Sequence, residues 1–242
     1  MQRLASGLDR DLPDRRWVEA WTSADQAVAG VLDDLLGSEL SEPAVACELG
    51  RRLPPGATLY VASSMPIRDV ETFWPARRRQ PRVLSNRGAN GIDGTVSSAF
   101  GAAAAGQGPV VLLIGDVALA HDIGGLIAAR RLSLGLTIVL LNNGGGGIFD
   151  FLPIATQTDV YEEHVATPPG LQFERAAALY EIEYHRPGTD RGAFGELLDV
   201  ALERSLERDG ATLIELAIDR AANLELHRRI WTAASRRIAS AG

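Results

Sequence analysis

Cysteine is almost absent: Cys47 stands alone in 242 residues. That excludes a disulfide framework within the chain and a cysteine-rich zinc site. A reducing cytoplasm is the expected setting. The four histidines, His121, His164, His185 and His227, are scattered without metal-ligand spacing. No catalytic role is expected for them. No stretch reaches eighteen apolar residues free of charge, so no membrane span is expected. The opening MQRLASGLDRDLPDRRW lacks the apolar run of a signal peptide. A long basic block is missing too, and the net charge is −7. A nucleic-acid surface is therefore not expected. Two phosphate-binding motifs are also lacking. There is no Gly-x-x-x-x-Gly-Lys loop, and the first strand does not lead into Gly-x-Gly-x-x-Gly.

What is present fits a globular chain with a sizeable core: 46% hydrophobic and 23% charged residues. Apolar residues recur at helical spacing over 17–36. Ser41-Glu42-Pro43 reads as a helix start, with Ser41 as cap and proline in the first turn, and predicts a helix over 44–53. Strands are then expected at 58–62, 82–85, 110–114, 136–141 and 211–218. Helices are expected at 67–73, 95–105, 118–132, 172–180, 193–206 and 224–239. The runs at 110–114 and 136–141 are continuously apolar. Such strands are buried on both faces, as in a parallel sheet covered by helices. The fold class predicted is an α/β open, mostly parallel sheet of five or six strands with helices on both faces. Ligands of such sheets bind outside the carboxyl ends of the strands. The loops at 63–68, 85–94, 115–118 and 142–152 are therefore the candidates.

Two of those loops are chemically distinctive. Gly115-Asp116 closes one apolar strand, and Asn142-Asn143 closes the next, followed by Gly144 to Gly147. If the strands are neighbours, a carboxylate and an amide oxygen share one sheet edge. Those are ligands for a hard divalent cation. A helix starting near Ala118 would turn its free N–H groups toward an anion. The alternative is a helix cap at Asp116 and an ordinary turn at Asn142-Asn143-Gly144. Four consecutive glycines weigh against it, because a plain turn needs one or two.

Gly115-Asp116 and Asn142-Asn143, with 24 residues between Val117 and Asn142, resemble the signature of thiamine diphosphate enzymes. Ser64-Met-Pro-Ile-Arg68, the loop Ser85 to Gly94, Gly147 to Pro153 and Tyr184-His-Arg-Pro187 look like one branch of that family. This branch is the 2-succinyl-5-enolpyruvyl-6-hydroxy-3-cyclohexene-1-carboxylate synthases of menaquinone synthesis. Val117, apolar where the wider family has glycine, fits the same branch.

The resemblance implies roles. Asp116, Asn143 and the Gly145 carbonyl would hold magnesium, or manganese in its place. Gly115, Val117, Ala118 and Ile148 would line the cofactor, and Ile92 would wedge under it. Ser64, Arg68 and Arg87 would receive 2-oxoglutarate and isochorismate. Ile148, Phe149 and Leu152 would wall the reacting centre. His185 would be structural. No residue here is assigned as catalytic, because the family's activating glutamate belongs to a pyrimidine-binding domain that this sequence lacks. Residues 1–40 would be the tail of a middle domain, and 41–242 the diphosphate-binding domain. The chain alone would then show weak catalysis, self-associate through the surface facing the missing domain, and hold its loops at 144–147 and 154–170 loosely. Another thiamine diphosphate enzyme, of acetolactate synthase or 2-oxoacid decarboxylase type, and a non-catalytic subunit remain as alternatives.

Overall fold

The computed structural model describes residues 15–86, 88–106, 108–207 and 210–241. Two compact units emerge. One runs up to Gly37 and resumes from Leu226; the other is Ser38–Glu225. In the first, helix α1 (Arg15–Leu36) carries Trp17 and Trp21, exposed, with ring centroids 5.9 Å apart.

The second unit holds one six-stranded sheet. Its strands are β1 (Thr58–Val61), β2 (Arg82–Leu84), β3 (Val110–Gly115), β4 (Leu136–Asn142), β5 (Glu183–His185) and β6 (Ala211–Ala217). Their order is β2-β1-β3-β4-β6-β5, and every pairing is parallel. The sheet grows from β1 to β2 on one side, then returns to place β3 on the other. That reversal puts a crevice at the carboxyl ends of β1 and β3, where open α/β sheets bind ligands.

The continuous apolar strands explain the layering. Leu112, Ile114, Ile138 and Leu140 join a core with Phe100 and Phe173 on one face. Val111, Leu113, Val139 and Leu141 join Leu49, Phe194 and Leu198 on the other. Alternate residues point to opposite faces of a strand, so a strand covered on both faces must be apolar throughout. Helix α2 (Glu42–Arg52) begins as expected: Ser41 Oγ accepts the Ala44 N–H at 3.3 Å, and Pro43 sits in the first turn. Helices α3 (Met65–Phe73) and α7 (Phe173–Leu179) also belong to the second unit, and α2 is fastened to α8 (Arg191–Glu207) through Glu48. Glu48 accepts from Arg52 Nε at 2.9 Å and from Arg191 Nε at 2.7 Å.

Two expectations need correction. The helix over 118–132 is broken. It consists of α5 (Asp116–His121), a tight 3-10 turn (Ile123–Leu126) and α6 (Ile127–Leu132). The cause is the start of α4 (Thr95–Ala105), whose cap position is Gly94 and has no side chain to offer. Asp122 leaves the helix and supplies that cap: its carboxylate accepts from Ser97 N at 2.8 Å and Ser97 Oγ at 3.2 Å. A Cβ on Gly125 would lie 2.7 Å from Ser97 Oγ, so only glycine lets the two elements approach. The second correction is β5, which no apolar run announces.

Candidate functional site

The side chains at the crevice are placed by strand ends. β3 and β4 pair in register through Gly115↔Leu141. Asp116 and Asn143 therefore leave the sheet at one edge, side by side. Asp116 is 1% exposed. Its Oδ1 accepts from Val117 N and its Oδ2 from Gly145 N, each at 2.8 Å. Burial raises its pKa, and those backbone donors oppose the rise. The Val117 N–H is thus engaged by the Asp116 carboxylate. Backbone N–H groups of Asp116 and Gly144 also stabilise the charged carboxylate.

The two asparagines have different jobs. Asn142 Nδ2 donates to Glu215 Oε1 at 2.8 Å, and Tyr184 donates to Glu215 Oε2 at 2.9 Å. Burial, then this bond to Glu215, pushes the Tyr184 hydroxyl up to about 12. Asn142 and Tyr184 therefore bind β4, β5 and β6 together. Asn143 serves the cavity. Its Nδ2 donates to Glu42 Oε1 at 2.8 Å, while its Oδ1 is buried without a hydrogen-bond partner. A buried carbonyl oxygen left bare costs stability unless something else satisfies it. A cation is one such partner.

The glycines shape the same corner. Gly144 has φ +73° and Gly145 φ +134°, a region that side chains avoid. A Cβ on Gly145 would lie 2.6 Å from the Ala166 carbonyl oxygen, and one on Gly147 would lie 2.7 Å from Asn143 Nδ2. Gly146 N donates to Ala166 O at 2.6 Å. The segment that follows is tied down. Arg220 Nη2 donates to Glu162 at 2.5 Å, and Tyr161 donates to Asp150.

These elements enclose a cavity of about 310 Å³. Of the residues anticipated, Ser64, Ile92, Gly115, Asp116, Val117, Ala118, Asn143, Gly145, Ile148 and Phe149 line it. Arg68 and Leu152 do not; both are exposed, Leu152 at 50%. Arg87 lies outside the described residues. Glu42 lines the cavity and was not anticipated. It is 1% exposed, and burial, with Asp69 beside it as the second cause, pushes its carboxyl up to about 8. Its only trace in the sequence was its place between a cap and a proline.

Among the described residues, no group of three or more His, Cys, Asp or Glu could hold a metal ion. Any metal here must use a mixed oxygen set: one carboxylate, one amide oxygen, backbone carbonyls and ligand oxygens. That set suits magnesium or manganese rather than zinc. The bare Asn143 Oδ1 and the Asp116 carboxylate, which line the same cavity, fit such an ion. No helix among the described residues is long and apolar enough to cross a membrane.

Residues 68–216 match the family "Thiamine pyrophosphate enzyme, C-terminal TPP binding domain". The chain belongs to this family. Thiamine pyrophosphate is thiamine diphosphate, so the resemblance of the strand-end motifs stands. Among relatives, a 2-succinyl-5-enolpyruvyl-6-hydroxy-3-cyclohexene-1-carboxylate synthase of Myxococcus xanthus is 45% identical over 95% of this chain and 38% of its own length. A synthase of the same name from Bacillus velezensis is 42% identical over 92% of this chain and 38% of its own length. The chain thus spans about two fifths of these relatives. A solved structure of a Rhodococcus jostii thiamine diphosphate-dependent 4-hydroxybenzoylformate decarboxylase is 22% identical, with a TM-score of 0.59, over 76% of this chain and 33% of that one. That likeness concerns the fold.

Proposed function

We propose that this chain forms the metal- and diphosphate-holding part of a thiamine diphosphate-dependent synthase. The reaction is decarboxylation of 2-oxoglutarate and conjugate addition of the remaining four-carbon unit to isochorismate, which yields 2-succinyl-5-enolpyruvyl-6-hydroxy-3-cyclohexene-1-carboxylate for menaquinone. One observation carries the reading: the Asp116 carboxylate and the partnerless Asn143 Oδ1 stand together on one cavity at the carboxyl edge of the sheet. The identities to synthases of that name select the branch.

In this reading Asp116, Asn143 and the Gly145 carbonyl hold magnesium, or manganese, against the diphosphate. When bound, thiamine diphosphate supplies the nucleophilic carbon and the electron sink. The chain supplies placement. Ile92, stiff at its β-branched carbon, supports the cofactor from below. Ile148 and Phe149 keep water from the reacting centre, which strengthens electrostatic contacts there. Ser64 hydrogen-bonds a substrate carboxylate. Arg68 and Arg87 offer paired donors to the dicarboxylic acids. Arg68 and Leu152, outside the cavity lining, make their contacts once substrates and the family's pyrimidine-binding domain cover it. The activating glutamate is assigned to that domain, and self-association to the surface that faces it. The diphosphate-binding domain is taken as 41–242, with 1–40 as the tail of a preceding domain.

The test is a panel of 2-oxoacids, with and without isochorismate, given to this chain joined to the family's remaining domains. The reading predicts consumption of 2-oxoglutarate that needs both isochorismate and magnesium. Acetolactate from pyruvate would assign the chain to another branch of the family.

A further inference from the structure

An asparagine amide has nearly the same shape whichever way round it sits, so its hydrogen bonds decide which atom faces the site. At Asn143 the deciding partner is Glu42, 101 positions away in sequence. We propose that Glu42 is a positioning residue of the metal site. Its Oε1 holds the Nδ2 end of Asn143 and so turns Oδ1 toward the cation. The proposal rests on the reading of Asp116 and Asn143 as metal ligands.

Three features fix this arrangement. Glu42 is the first residue of α2, and its backbone is set by the Ser41 cap and Pro43. Its own N–H donates to Asn223 Oδ1 at 3.3 Å, so the residue is held from a second element. Gly147 leaves the space that the Nδ2 end occupies, since a Cβ there would lie 2.7 Å from that atom. The carboxyl offers an acceptor oxygen whether or not it carries a proton. Without that acceptor the amide is free to rotate by half a turn, and its NH₂ would then face the cation. Second partners of metal ligands act in this way: they set orientation, and their loss typically costs about 10–100-fold in metal affinity.

The variants Glu42→Gln and Glu42→Leu separate the explanations. Glutamine keeps a carbonyl acceptor for Asn143 and can donate to Asp69. Leucine keeps the volume and removes the acceptor. Manganese uptake by the 242-residue chain in the presence of thiamine diphosphate, followed by electron paramagnetic resonance, is the readout. Glu42→Gln is expected within about threefold of wild type, and Glu42→Leu about 10–100-fold weaker. Equal affinity for wild type and Glu42→Leu overturns the proposal, as does equal loss in both variants. No manganese uptake by the wild type overturns the metal-site reading itself, and the role of Glu42 with it. If the leucine variant does not fold, the Asn143 side-chain amide settles the matter in the metal-free wild type and Glu42→Gln. Nuclear magnetic resonance should find it protected from solvent exchange in both proteins. An Asn143 amide exchanging as fast as an exposed one overturns the proposal.

Discussion

At the scale of single residues, the cavity works through atoms that lack an ordinary partner. Asn143 Oδ1 is buried and bare. Asn143→Ala should therefore leave the fold intact and weaken magnesium-dependent cofactor binding at least tenfold by calorimetry. Gly145→Ala should do more damage. Its φ of +134° and the Ala166 carbonyl both refuse a Cβ, and a loss of about 2–3 kcal/mol is expected in chemical denaturation. A Gly145→Ala protein as stable as wild type would contradict the strand-end geometry. The placing of Asp116 and Asn143 at one sheet edge could be read from sequence because both residues follow apolar strands at a spacing set by one crossover. Glu42 could not. Its contact with Asn143 is made by folding and leaves no local pattern. Arg68 and Leu152 show the converse: a motif names each residue, but its side chain is exposed and lies outside the cavity lining.

At the scale of elements, two cross-links hold the frame of the crevice. Asp122 caps α4 from a neighbouring segment, so Asp122→Ala should cost about 1 kcal/mol, seen as a lower midpoint in urea. Glu48 ties α2 to α8. Burial works to raise its pKa, but the hydrogen bonds from Arg52 and Arg191 outweigh that and hold the carboxyl below its usual 4.5. A carboxyl depressed in the folded state stabilises above its unfolded pKa, and that gain is lost as pH falls through the folded value. Removing one partner of a fully buried pair costs roughly 3 kcal/mol, and the partly exposed Arg52 makes the loss here smaller. Glu48→Gln should thus lower the melting temperature clearly at pH 7, with the gap to wild type narrowing below about pH 4. A gap that persists unchanged in acid would contradict this account of Glu48. The central strands were legible because burial on both faces forces continuous apolar runs. β5 was not, because Glu183, Tyr184 and His185 are half-buried at a sheet edge, and the strand is held by its pairing with β6 and by the Tyr184 bond to Glu215. The broken helix was hidden for a related reason. The apolar spacing over 118–132 persists through the break, and the demand of α4 for a cap is a tertiary fact.

At the scale of the molecule, a parallel sheet with reversed strand order concentrates its chemistry at one edge. Loops after β1, β3 and β4 all reach the same cavity. Fold and site location were readable together, since the strand pattern implies the edge and the polar residues at strand ends mark it. What the sequence could not convey is how completely that edge is built in this chain, which spans 38% of its Myxococcus relative. From the bare oxygen of Asn143, the buried Asp116 and the glycine corner we propose that the metal half of the site is formed in this chain. The most direct test is calorimetric titration of thiamine diphosphate into the purified chain, first with magnesium and then with EDTA. Binding that requires magnesium and vanishes with EDTA is the predicted result. Binding unchanged by EDTA, or no binding with magnesium present, would contradict it.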